Sequence, residues 1–184
     1  MCIRDRAGLI DLYKLAGIRK AGKIAEGIGE WVYGRLNALT HEQRVKMWSI
    51  YIAGEYGGMN ESMAELFRIT GKKEFLEAAR FFDNDRLFYP LEQGVDALDG
   101  MHANQHIPQV IGAVKMYEMT GEKRYYGLAS LFWKIVTPVS YTHLCMSVAC
   151  CSLNAGQAAA SVCVRYFGRS VSIVSDWGTE YNHI

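Results

Sequence analysis

Apolar residues return along most of this chain at the spacing of a helix face. Met63, Leu66, Phe67 and Thr70 stand at i, i+3, i+4 and i+7, which lines one side of a helix. Gly71 follows the last of them. Glycine takes the left-handed conformation without strain, so it predicts a helix C-cap. Phe75, Ala78, Ala79 and Phe82 then predict a second helix after a very short connection. Two amphipathic helices joined that closely form an antiparallel hairpin. Ala79 is small enough to let them approach.

The hairpin recurs. About 50 positions on, Thr120, Gly121, Tyr125, Ala129 and Phe132 match Thr70, Gly71, Phe75, Ala79 and Phe82. Upstream, Tyr13, Gly17, Ala25 and Ile28 keep the same mutual spacing. Thr40-His41-Glu42-Gln43 is a capping-box pattern and predicts a helix through Trp48 and Tyr51. Pro108 suits the first turn of a helix that runs on to Thr120. No strand pattern stands before residue 160, and residues 171–176 are a candidate β-strand in the C-terminal tail. The predicted fold is therefore all-α. Tetratricopeptide and ankyrin units, at about 33–34 residues, are too short to match the repeat. Long hairpins with substantial loops at one end suit a closed α/α toroid, and such loops are where a site would sit.

Bulk composition changes this picture little. The 184 residues are half hydrophobic with a net charge of +1, which fits one globular domain or part of a larger one. Near-neutral charge gives no reason to expect nucleic acid or an anionic membrane as a partner. No apolar run approaches the roughly 20 residues of a membrane span. The first residues lack the apolar core of a signal peptide. The compartment, cytoplasmic or periplasmic/secreted, stays open.

The cysteines are lopsided. Cys145, Cys150, Cys151 and Cys163 lie near one end, Cys2 at the other, and none between. A disulfide scaffold would spread them through the fold. Codons point the same way. Residues 1–6 can be written ATG TGT ATA AGA GAC AGG, and residues 139–144 can be written as its reverse complement apart from the edge bases. Both resemble the transposon end used in sequencing-library preparation. Residues 1–6 and 139–144 are therefore expected to be adapter sequence, the second a junction. Residues 7–138 are expected to be a partial barrel domain, and residues 145–184 a tail joined across the scar.

Two polar loops carry the candidate chemistry. The first holds Gly54, Glu55, Tyr56, Gly57, Gly58, Met59, Asn60 and Glu61. The second, residues 98–108, gathers His102, Asn104, Gln105 and His106. Each precedes the first helix of a hairpin, so both belong on one rim, where convergent donors and acceptors can read sugar hydroxyls. Simpler roles remain open. Asn60 can cap a helix, Glu61 can favour a helix N-terminus, Gly57-Gly58 can be a plain turn, and His106 can be an ordinary loop histidine. His102 and His106 at i, i+4 mimic a metal pair, but Pro108 argues against a helix through them and no third ligand is near.

In order, these segments resemble glycoside hydrolase family 127. The resemblance rests on residues 57–61 (Gly-Gly-Met-Asn-Glu), 66–71 (Leu-Phe-x-x-Thr-Gly), 98–108 (Leu-Asp-Gly-x-His-Ala-Asn-x-x-Ile-Pro) and 111–121. It covers about residues 7–136. It implies part of a bacterial (α/α)6 barrel whose enzyme hydrolyses terminal β-L-arabinofuranosides with retention. The substrate would be an arabinose-containing oligosaccharide or glycoprotein glycan. The family is taken to use a cysteine thiolate nucleophile on a zinc ion, with two further cysteines and a glutamate as ligands and a separate glutamate as acid/base. The resemblance makes His102 a sugar contact, with Glu55, Asn60, Asn104 and Gln105 candidates for the same pocket.

The tail sequence Cys150-Cys151-Ser152-Leu153-Asn154 resembles the family's Cys-Cys-x-x-Asn motif. That implies Cys150 as nucleophile, and Cys150 and Cys151 as zinc ligands. No Glu-x-Cys precedes them, and two thiolates leave zinc half-coordinated. The fragment is therefore expected neither to bind zinc nor to hydrolyse. Rival readings are another α/α-barrel carbohydrate enzyme, of unsaturated glucuronyl hydrolase or epimerase type, and a non-catalytic helical-repeat interaction module.

Overall fold

In the computed structural model, residues 3–50, 56–101 and 103–147 are described, with the backbone alone for residues 3–5, 104 and 137–147. They form eight helices and no strand: α1 (Ile3–Ala16), α2 (Arg19–Asn37), α3 (His41–Trp48), α4 (Met59–Thr70), α5 (Lys73–Arg80), α6 (Asp85–Glu92), α7 (Ala103–Thr120) and α8 (Lys123–Ser147). This is the all-α, partial (α/α)6-type arrangement of hairpins. The candidate strand in the tail lies outside the described residues. The chain divides into two compact units between Ile135 and Val136. The first holds α1 to α7 and the start of α8. The described residues of the second are the rest of α8.

Three hairpins, α1–α2, α4–α5 and α7–α8, turn in the same way. Gly17, Gly71 and Gly121 all have positive φ, at 68°, 71° and 70°. A β-carbon would strain each turn. In the second and third turns the threonine before the glycine repeats its contacts as well. Thr70 donates to the Leu66 carbonyl and Thr120 to the Met116 carbonyl, both at 2.7 Å. Each hydroxyl then accepts the amide of Lys72 or Glu122. The carbonyls and amides left over at the helix ends are thus satisfied locally.

Helices α1, α4 and α7 lie side by side as one layer, and α2 and α5 pack outside them. Burial distinguishes the layers. Helix α4 buries Met59, Asn60, Ser62, Met63, Ala64, Glu65 and Leu66, so it is enclosed on most sides. Helix α2 buries only the stripe Ala21, Ala25, Gly29, Val32 and Leu36. The equivalent Phe75 and Tyr125 seat α5 and α8 in the core, at roughly 2–3 kcal/mol per buried aromatic. At Gly22, Gly29 and Gly112 a β-carbon would collide with a neighbouring side chain, Tyr13 in the case of Gly22. A β-carbon on Gly29 would stand 2.8 Å from Leu66 and Phe75, and one on Gly112 would stand 1.9 Å from Asn60 Oδ1.

Polar pairs fix the register. Glu65 meets Lys14 at 2.5 Å, Arg68 at 2.6 Å and Lys115 at 3.3 Å, joining α1, α4 and α7. Burial would raise its carboxyl, but the hydrogen bonds from Arg68 and Lys14 and the charge of Lys115 outweigh it and hold it down at about 2. Outside, Lys72 reaches back to Glu26 and Glu30 on α2. Glu122 reaches back to Arg80 on α5. Lys72 and Glu122 are equivalent positions, as are Glu26 and Arg80, so the same contact recurs with its charges exchanged.

Two expectations need correction. Helix α7 starts at Ala103, so Pro108 lies beyond its first turn and the helix runs through His106. The proline removes one donor to the Asn104 carbonyl, a local loss that packing against α4 tolerates. Helix α3 stops at Trp48, while its predicted capping box is present: Gln43 donates to Thr40 Oγ1, and Thr40 donates to the Gln43 side chain. Tyr51 lies outside the described residues.

The segment read as adapter enters α1. Arg6 is buried against Met59 and Met63, whose sulfurs accept from it at 3.2 and 2.9 Å. Burial lowers this guanidinium to about 10. Residues 139–144 lie within α8. Neither placement bears on the origin of the two segments.

Candidate functional site

Inner helices in parallel register bring their N-terminal loops to one rim. Asn60 pairs with Gln109 and Glu65 with Lys115, so α4 and α7 run together with the offset of the repeat. The described parts of the two polar loops, residues 56–58 and 98–101, therefore lie at the same end of these helices. Helix α7 begins earlier relative to that register and extends past α4. Helices α3 and α6 cross this rim as connectors. Gly57 and Gly100 take positive φ in the loops, at 50° and 71°.

A cavity of about 140 Å³ opens there. It is lined by Trp48 of α3, the Asp83–Arg86 stretch, Gly100 and Met101, and Gln105, His106 and Gln109 of α7. Of the residues singled out in the sequence, Gln105 and His106 share this wall. His106 is buried and its ring meets Phe132 edge-on at 5.5 Å. Asn104 stands in the first turn of α7. Asn60 sits elsewhere, fully buried between helices. Its amide donates to the Gln109 carbonyl at 2.8 Å, and its oxygen accepts the Glu61 amide at 3.0 Å. The N-cap of α4 is Gly58, so Asn60 clasps α4 to α7 rather than capping. Glu55, His102, Cys150 and Cys151 lie outside the described residues.

Three cavity residues escaped the sequence reading. Asp83 accepts the Tyr125 hydroxyl at 2.8 Å and pairs with Arg124. Burial pushes its carboxyl up to about 7, against the pull of both partners. Gln109 is almost wholly buried and accepts from Asn84 Nδ2 at 3.0 Å. Trp48 donates its ring N–H to the Phe81 carbonyl at 2.9 Å and stacks on Phe82. The Asn84-Asp85 cap of α6 was a readable helix start, since Asn84 accepts the Arg86 amide. The partners of Asp83 and Gln109 come from distant segments, and no local pattern reveals them. In the first turn of α4, burial also pushes Glu61 up to about 7.

The chain matches the family model described as β-L-arabinofuranosidase, GH127 catalytic domain, over residues 5–157. It belongs to that family. Comparison with curated proteins finds no match. Membership makes this a glycosidase-type domain with a glycan as its class of substrate. Among the described residues, no helix is long and apolar enough to cross a membrane. No three His, Cys, Asp or Glu side chains among them converge as metal ligands, so the described residues do not make up a zinc site.

Proposed function

We propose that this GH127 chain is part of a catalytic domain that removes terminal β-L-arabinofuranosyl units from an oligosaccharide or glycoprotein glycan, with retention of configuration. The family match carries the reading. The gathering of the cavity at the rim supports it, because that is where hydroxyl-reading groups converge. Gln105 is the pocket candidate that lines the cavity, and Asn60 serves the pocket by holding α4 against α7. His102, Glu55 and Asn104 are its further sugar contacts in this reading. Retention follows from two displacements at the anomeric carbon, first by a side-chain nucleophile and then by water.

Cys150 is proposed as the nucleophile, and with Cys151 as part of a zinc site; the family match runs through both. Zinc would keep such thiols deprotonated at neutral pH. No Glu-x-Cys sequence occurs in the chain. The chain alone is therefore proposed to be inactive. The test is p-nitrophenyl β-L-arabinofuranoside incubated with the purified chain and with the catalytic domain encoded by an intact parent locus. The intact domain should release β-configured arabinose first, and the chain none. Release by the chain overturns its inactivity, and no release by the intact domain overturns the substrate reading.

A further inference from the structure

The rim cavity holds a buried acceptor and a buried donor that no partner satisfies among the described residues. Tyr125 and Arg124 both reach Asp83 through Oδ2, and Oδ1 is left without a partner. Gln109 uses Oε1 to accept from Asn84, which fixes the amide orientation and leaves Nε2 without a partner. Both residues line the same cavity. Buried polar atoms left unpaired lose their hydration without compensation, so an arrangement that holds two of them in place favours a ligand that pairs them.

We propose that Asp83 and Gln109 form a hydroxyl-reading subsite for one neutral sugar ring, walled by Trp48. A sugar hydroxyl donates and accepts, which complements an acceptor beside a donor. Trp48 is held rigidly by the Phe81 carbonyl, by stacking on Phe82 and by a tilted contact with Tyr56, so its ring offers a fixed apolar wall for a sugar face. The cavity, about 140 Å³, is smaller than a whole ligand site of roughly 300–1,000 Å³ and suits a single ring. Asp83 and Asp85 line it with one cation, Arg86, so a uronate carboxylate would meet net like charge. The subsite thus selects neutral sugars over acidic ones. It rests on the glycan reading above and names which glycan units that rim accepts.

The test is ¹⁵N NMR of the full chain at pH 8, following the Trp48 indole N–H. The probes are methyl β-L-arabinofuranoside and methyl β-D-glucuronopyranoside. The neutral probe should shift Trp48 and the acidic one should not. Asp83→Asn keeps its carbonyl toward Tyr125 and Arg124 and places an N–H₂ where Oδ1 stood. It should weaken the neutral probe about tenfold or more, as expected when a hydrogen bond to a charged group is lost. Gln109→Glu keeps the acceptor for Asn84 and removes the donor, and should weaken it similarly. Should one variant fail to fold, the other decides.

No shift with either probe, equal shifts with both, or wild-type affinity in the variants overturns the subsite. Arabinose release by the intact domain is read separately. A domain that hydrolyses arabinofuranosides with the same KM when it carries Gln109→Glu overturns the subsite and leaves the proposed function standing.

Discussion

The two ends of the hairpins are built on different principles. At the turn end, Gly17, Gly71 and Gly121 share one backbone conformation, and Thr70 and Thr120 close their helices through the same pair of bonds. At the rim end the described segments differ from one hairpin to the next. Connector helices differ in sequence, a cavity opens, and Asp83 Oδ1 and Gln109 Nε2 stay unpaired. One end uses local chemistry to make identical turns. The other leaves polar groups unsatisfied where a ligand can reach them. The turns are set locally, residue by residue, whereas the rim depends on packing between distant segments and gathers the groups a ligand can meet.

The largest expected contrast is in pH dependence. Burial holds Asp83 and Glu61 near 7, both at the rim end. The unfolded chain has lost those protons by pH about 4.5. The folded chain therefore binds more protons between about 4.5 and 7, and stability should fall as pH rises through that window. The loss should be several kcal/mol at most, since a tenfold difference in proton affinity between the folded and unfolded chain is worth about 1.4 kcal/mol. Urea midpoints at pH 5 and pH 8 measure it, and Asp83→Asn should flatten the slope. Glu65 acts in the opposite sense, its contribution being lost as pH falls from about 4.5 towards 2.

Next comes Gly112→Ala. Its β-carbon collides with Asn60, the clasp that aligns the rim ends of α4 and α7. Overpacking and the lost hydrogen bond should together cost about 3 kcal/mol by denaturant titration. Gly71→Ala at the turn end meets no neighbour and suffers only its positive φ, so about 1–2 kcal/mol is expected. If the turn variant proves costlier than the clasp variant, the contrast between the ends fails.

The smallest effect concerns the exchanged ion pairs. Arg80→Glu should cost well under 1 kcal/mol, because the pair with Glu122 is partly exposed. Adding Glu122→Arg should restore it, as the equivalent Lys72–Glu26 contact works with the opposite polarity. A double variant weaker than the single one would show that these positions are not equivalent.

The same contrast explains what the sequence revealed. The turn end was legible because each signal is local: a glycine four residues after an apolar position, a threonine before it, a capping box in Thr40 and Gln43. The rim was legible only where a motif is contiguous, as with Gln105 and His106. Asp83 and Gln109 are far apart in the chain, and each becomes significant through partners in other helices, Tyr125 and Asn84. Asn60 was singled out for its motif, yet its part as a clasp depends on Gly112 and the Gln109 carbonyl, which only packing reveals. Pro108 misled because its usual place is a first turn, and α7 is longer at the rim than the repeat suggests.

Amide hydrogen exchange of the chain with and without methyl β-L-arabinofuranoside tests the central claim most directly. The division of labour predicts added protection at the rim, around Trp48, residues 83–86 and the first two turns of α7. The amides of Gly17, Gly71 and Gly121 should exchange as before. Protection spread evenly over both ends, or found at the turns alone, would contradict it.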